Sequence, residues 1–557
     1  MSEHSMTSPY AARPWLKHYD YWVRPHMTYP GKPLYEILAS ATVDFPDTIA
    51  TVFFGSELTY AEIKRRVDSL AEEFARFGIV KGDRVGIMLP NCPQYIITAF
   101  AVLRLGAIIV NLNPIYTAPE VVTVARDSGI RMLVTMDALA PLALSIRNEM
   151  KLERIIVTAL AEYTAAAAGP PRIDGTVALS DLIGSPSATV RPNLPRVTVA
   201  SDDVAVLQYT GGTTGTPKGA MLTHGNIFAN VIQTEAWTLP SARGSMRYVI
   251  VLPYFHIYAF TVGMMTAIWN AGRQIIIPKF DPEQVLTAIR DHRPTYFPGV
   301  PTIFVSLLSH PRFEEFGFDK VRTFNTGGAP CPVEVIEEFE ARTGRSLNEG
   351  YGLSETSPTT HSTPQFSRRK PGTVGLAFPD TDMKIVDVET GTREMPIGEP
   401  GELCICGPQV MKGYWQKPDE SARVLRKDAD GRIWFYTGDI ATMDEDGFTS
   451  IVQRKKDLII VDGFNVYPSD VEAVLYQHPA VRLAAVIGVA DKYHGEVVRA
   501  SVVLREGTSA TVEDLLAHCK GSLAEYKVPR QVELRSNMPM SAVGKILYRV
   551  LRDELHS

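Results

Sequence analysis

The sequence predicts an α/β protein with a large N-terminal domain of βαβ units and a small C-terminal α+β domain. Three observations carry this reading. From Arg84 onward, short β-rich runs alternate with helical segments, the pattern of strands joined by crossover helices. The length of 557 residues exceeds what one hydrophobic core usually organises. After about residue 455 the texture changes to short alternating units, so the boundary is set between residues 1–454 and 455–557.

The elements follow in order. Thr59 and Glu62 have the spacing of a capping box, Ile63, Val67, Leu70, Phe74 and Phe77 share one helical face, and Gly78 stops the helix. The runs RVGIM, AIIV, MLVTM and RIIV then read as strands, with helices over 93–105 and 118–127 between them. Thr164 to Arg172 reads as a surface excursion, because its alanines lack apolar periodicity and Gly-Pro-Pro ends any helix. In the C-terminal region a capping box at Ser469 and Glu472, strands near 483–489 and 497–504, a helix from Thr511 and a last helix from Lys545 are expected.

Composition narrows the function. Hydrophobic residues at 45% and charged residues at 21% describe a folded soluble protein. A net charge of -6 argues against a nucleic-acid grip, which needs clustered Lys and Arg. The five cysteines are odd in number and lack CxxC spacing, which fits a reducing cytoplasm; Cys404 and Cys406 alternate on a strand and are expected to pack in a core. No apolar signal segment opens the chain, and the most apolar stretch, Tyr95 to Val110, is broken by Arg104, so no membrane span is expected.

The most informative stretch is YTGGTTGTPKG, Tyr209 to Gly219, between the apolar runs VAVLQ and AMLTH. After Thr210, the glycines Gly211, Gly212 and Gly215 let backbone amides turn inward as an anion nest. Thr213, Thr214 and Thr216 add hydroxyl donors, and Lys218 adds a positive charge suited to a triphosphate. It is not a Walker A loop, since two residues separate Gly215 from Lys218 and Gly219 follows the lysine. Further on, NTGGAP (Asn325 to Pro330) reads as a strand, a glycine turn and a helix beginning near Pro332, so Gly327 and Gly328 allow a ligand close to the backbone.

This loop, and motifs that recur in order from about residue 35 to the end, resemble the adenylate-forming family of acyl-CoA synthetases, adenylation domains and luciferases. The resemblance implies a small mobile C-terminal domain and an active site in the cleft between the two domains. In NEGYGLSET it implies nucleotide contacts from Glu349, Gly350, Tyr351 and Gly352, with Tyr351 on the base and Thr356 on phosphate oxygen. Glu355, a hard oxygen ligand, would hold Mg2+ together with Thr213. Gly328 and Ala329 would border the nucleotide, and Gly327 and Gly328 the acyl group. Asp439 of YTGDI would accept from both ribose hydroxyls, as an ionised acceptor can. In RKKDLIIVDGFNVYPSDVE, Arg454 would meet the nucleotide, Lys456 would be the pivot and Gly463 would flank the pantetheine of coenzyme A.

Lys545 of PMSAVGKIL is implied to reach the carboxylate and α-phosphate; on residue type alone, a lysine in the first turn of a surface helix is ordinary. The motifs VLPYFHIYAF and GVPTIF imply an acyl site with His256 near the carboxylate, Phe260 gating a channel, and Val300, Pro301 and Thr302 as a neutral wall. Lys545, His256 and Lys218 are therefore the catalytic candidates, with ATP, Mg2+ and CoA as the small molecules used. Taken together, NPIYT (Asn113 to Thr117), YTGDIATMDEDGF and KKDLIIVDGFNVYPSDVE are most similar to bacterial long-chain fatty acid CoA ligases, with Gln453, Met540 and Tyr548 as departures. A medium- or long-chain fatty acid is the expected substrate; an aromatic-acid ligase or a ligase loading a carrier protein stays open, as do a homodimer and a peripheral contact at the inner membrane face.

Overall fold

The computed structural model describes residues 8–165, 169–183, 196–210, 217–462, 464–491, 493–541 and 544–555. Among them the chain forms four sheets. One has seven strands in the order Val177–Ala178, Arg154–Thr158, Met132–Met136, Arg84–Met88, Ile108–Asn111, Val204–Thr210 and Lys218–Thr223. All its pairs are parallel except the last, which runs antiparallel with Thr210 opposite Lys218. The nine-stranded sheet has at its centre the parallel neighbours Arg247–Ile250, Tyr296–Gly299, Thr323–Gly327 and Leu347–Gly352.

One core joins the two large sheets: Ile87 and Ile109 of the first, Val249 and Ile275 of the second, and Leu70, Phe74 and Phe100 from helices. Helix Pro93–Arg104 is buried over nearly its whole length, which explains why it reads as an apolar run without a polar face. Helix Tyr60–Arg76 starts on the expected capping box of Thr59 and Glu62. Ile63, Val67, Leu70 and Phe74 are fully buried along it, Phe77 is the C-cap, and Gly78 follows with φ 82°. Ala166–Ala168 of the expected surface excursion lie outside the described residues. Cys404 is buried beside Val386 and Trp434, with Cys406 packed on the same cluster.

A small sheet of Asp382–Val386, Gly401–Cys406, Ile433–Met443 and Leu425–Lys427, with Thr449–Arg454 paired to Ile433–Met443, precedes a last sheet built after residue 455. That last sheet contains Phe464–Val466, Ile459–Val461, Gly495–Leu504 and Val481–Asp491, with Gln531–Leu534 added in parallel. Helix Val512–Ser522 is capped by Thr511, whose hydroxyl accepts from Asp514 N at 3.1 Å.

Two local expectations are corrected. Ser469 and Glu472 form no capping box: Pro468, with its fixed φ, already starts the helix Pro468–Tyr476, so Ser469 lies inside the first turn and donates to Val452 O. Glu472 instead turns inward, accepting from Val486 N at 2.8 Å and Tyr548 OH at 3.0 Å, and burial raises its carboxyl to about 7. Lys545 does not begin the last helix, which spans Tyr548–Asp553. Gly544 at φ 73°, the Met540–Ile546 bridge and the Ser541 N–Lys545 O bond of 2.7 Å hold Lys545 in a tight turn instead. No helix among the described residues is long and apolar enough to cross a membrane.

Candidate active site

The four parallel strands of the nine-stranded sheet end side by side, and the chain leaving each end carries one of the sequence motifs. His256 follows Ile250, Val300 and Thr302 follow Gly299, Gly328 and Ala329 follow Gly327, and Glu355 follows Gly352. Parallel strands expose the carboxyl ends of their ladder to the crossover loops, so this edge gathers segments a hundred residues apart.

A small pocket at this edge is lined by Leu252, Pro253, His256, Tyr258, Val300, Gly328 and Lys545, and its accessible volume of ≈ 10 Å3 is about that of one water. Lys545 enters it from the C-terminal turn. A Cβ built on Gly328, which has φ +82°, would lie 3.2 Å from Lys545 Cε, so a side chain there meets both strain and the lysine. Thr302 Oγ1 donates to Gly544 O at 3.2 Å and so holds the lysine turn against the N-terminal wall.

Burial lowers the Lys545 ammonium to about 8, helped by the nearby Arg454 charge and opposed by Asp439 and Glu355. His256 is driven down to about 3, first by burial and then by Lys545, so it is a neutral imidazole. Its Nδ1 accepts from Tyr258 N at 3.3 Å, which leaves the ring proton on Nε2. A neutral donor and a cation with a depressed pKa thus share one small pocket.

On the adjoining side, antiparallel register sets Asp439 opposite Arg454. Arg454 Nε meets Asp439 Oδ1 at 2.8 Å, and Tyr351 OH donates to Oδ2 at 2.6 Å. Burial raises the Asp439 carboxyl while Arg454 opposes the shift. Gly352 must be glycine, since a Cβ would lie 2.0 Å from Pro358 O, and a Cβ on Gly327 would press Gly350 O at 3.0 Å. Lys218 Nζ lies 2.6 Å from Glu420 Oε2, and Tyr414 OH donates to Glu355 Oε1 at 2.8 Å.

The expected set therefore divides. Lys545, His256, Val300 and Gly328 meet in the pocket, while Tyr351, Asp439 and Arg454 form a second cluster. Phe260 is fully buried in the helical stretch Ala259–Met265 and lines no part of the pocket, nor does Pro301; Tyr258 stands there instead. Thr356 presents no hydroxyl for phosphate: it is buried, accepts from Leu353 N at 3.0 Å and donates to the carbonyls of Leu353 and Pro358. The Glu349 side chain, on the face opposite Gly350, is raised to about 7 by burial and takes Cys331 N at 3.3 Å, so it braces the glycine turn. Lys456 sits exposed in the turn Lys455–Asp457. Gly211, Gly212, Thr213, Thr214, Gly215, Thr216 and Gly463 lie outside the described residues, and Thr210 closes its strand just before them. Tyr258, Tyr414 and Glu420 are not candidates from sequence; the last two reach the site because Trp415 N bonds Gly219 O at 2.8 Å and Tyr414 bridges Ala220.

The chain is similar to proteins of known activity along almost its whole length. It is 41% identical to the long-chain-fatty-acid–CoA ligase of Bacillus subtilis (strain 168), over 97% of this chain and 98% of that protein. It is 36% identical to a feruloyl-CoA synthase of Amycolatopsis sp, over 90% and 95% of the two chains. ATP-bound MatB from Rhodopseudomonas palustris superposes with a TM-score of 0.83 at 30% identity, covering 94% of this chain and 99% of that one. The model for the AMP-binding enzyme matches residues 38–415, that for its C-terminal domain matches residues 470–545, and the chain belongs to this AMP-binding enzyme family.

Proposed function

We propose that the chain is an ATP-dependent, AMP-forming acyl-CoA ligase whose acid is a medium- or long-chain fatty acid. The observation that carries the reading is the Lys545 ammonium enclosed beside neutral His256 at the glycine turn. The fatty acid is supported by the 41% identical long-chain-fatty-acid–CoA ligase.

In the first step an acid carboxylate oxygen attacks the α-phosphorus of ATP, forming the acyl–phosphate bond while the bond to pyrophosphate breaks. Lys545 neutralises charge shared by carboxylate and α-phosphate, and the Nε2–H of His256 is oriented to donate to an acid oxygen. Asp439, with its strong acceptor oxygens, receives ribose hydroxyls, and Lys218 meets the outgoing phosphates. Glu355 fits a Mg2+ ligand: one oxygen takes Tyr414 OH, and among the described residues the other has no hydrogen-bond partner. Glu355 and Thr213 would hold such an ion, and it would there neutralise phosphate charge.

In the second step the sulfur of the CoA thiol attacks the acyl carbon and gives up its proton to solvent, the thioester forms, and AMP leaves with the electron pair of the broken anhydride bond. Residues 455–557 act as the moving domain about Lys456, which withdraws Lys545 and admits the thiol. The test is pyrophosphate release with ATP, Mg2+ and acids from acetate to oleate plus ferulate, with and without CoA. CoA-stimulated turnover on a long aliphatic acid supports the reading. Turnover confined to ferulate moves the substrate to aromatic acids, and no acid-dependent release refutes the ligase.

A further inference from the structure

Lys218, the cation assigned to the phosphates, is already engaged by a carboxylate. Its Nζ lies 2.6 Å from Glu420 Oε2, with the side chains 16% and 31% exposed, and 5.5 Å over the Tyr414 ring. The second Glu420 oxygen takes Arg423 at 2.8 Å, and Lys218 holds the Glu420 carboxyl below its usual range. Glu420 stands in the first turn of helix Pro418–Val424.

The segment carrying it is anchored to the phosphate strand. Trp415 N bonds Gly219 O at 2.8 Å, Tyr414 N bonds Ser421 Oγ at 2.8 Å, and Lys417 meets Asp127 at 2.5 Å. Tyr414, under Lys218, also donates to Glu355 at 2.8 Å. One segment thus touches both the phosphate lysine and the carboxylate assigned to the metal.

We propose that Glu420 is an internal stand-in for an ATP phosphate oxygen, which holds Lys218 until the triphosphate displaces it and takes Lys218 back as pyrophosphate leaves. The proposal rests on the ligase reading of this site. A carboxylate oxygen and a phosphate oxygen are equivalent partners for an ammonium, both charge-assisted acceptors at this distance. A polyphosphate carries more charge and wins, but only the fraction of enzyme with a released lysine binds it at full strength. Arg423 makes the exchange inexpensive, since Glu420 keeps one cationic partner after Lys218 leaves.

The experiment titrates the full chain, by calorimetry and without acid, with ATP–Mg2+ and separately with pyrophosphate. Wild type is compared with Glu420→Gln, Glu420→Ala and Arg423→Ala, each checked for an unchanged melting temperature. For a partly exposed pair the expected gain is about 2- to 5-fold tighter binding of both ligands in Glu420→Gln, together with stronger product inhibition by pyrophosphate. Arg423→Ala, which removes one of the cations that face Glu420 and so tightens its hold on Lys218, weakens both. Unchanged or weaker binding in folded Glu420→Gln overturns the proposal, and Arg423→Ala decides it where a Glu420 variant fails to fold. Wild type that binds ATP without acid-dependent turnover refutes the ligase reading but leaves this comparison decisive; wild type that binds neither ligand refutes both.

Discussion

The depressed Lys545 pKa makes the first step sensitive to alkaline pH in a calculable way. With its ammonium lowered to about 8 in the free enzyme, Lys545 is charged at pH 7 and loses its proton as pH rises through 8. At pH 9 about one molecule in ten keeps the charge, and each further unit costs about tenfold. The expected profile of kcat/KM for pyrophosphate release, with ATP and acid both well below saturation so that the free enzyme is reported, is therefore flat near pH 7 and falls with unit slope above about 8. Bound carboxylate and phosphate favour the ammonium, so the corresponding limb in kcat lies at higher pH. Lys545→Ala removes the group and is expected to lower single-turnover adenylation by about 10²- to 10³-fold, with no limb near 8. A wild-type profile flat to pH 9.5, or the same limb in the residual activity of Lys545→Ala, refutes the assignment of the charge to Lys545.

Three more outcomes follow from the geometry. Gly328→Val, at φ +82° with Lys545 Cε at 3.2 Å from the new Cβ, abolishes adenylation while circular dichroism stays native. Asp439→Asn leaves Arg454 without its charge partner and weakens ribose binding, and the KM for ATP rises by about 10- to 100-fold in steady-state assays. Phe74→Ala empties a fully buried core position and lowers unfolding free energy by about 3–5 kcal/mol in urea titration, without moving the pH profile.

What was readable in advance was local. Helix Tyr60–Arg76 declared itself through its cap, its buried stripe and Gly78, because neighbours within a few turns dictate such an element. The turn after Asn325 was readable for the same reason, since Gly328 takes a left-handed φ that its own composition invites. Where local rules competed with a fold-wide demand they lost: Ser469 and Glu472 match a capping box, yet Pro468 starts the helix first and Glu472 is drawn to Tyr548 from 76 residues away.

The sequence by itself determined the α/β class, the order of the motifs and the chemistry each residue type offers, since these depend on spacing along the chain. Only the tertiary structure decided which side chains meet. Phe260 was turned into the core and Tyr258 to the pocket because residues two apart on one helical stretch face opposite sides of it. Lys218 met Glu420 across 202 residues because strand and bridge register juxtapose them. Lys545 lost part of its affinity for a proton because the fold encloses it, and burial is a property of every surrounding element at once.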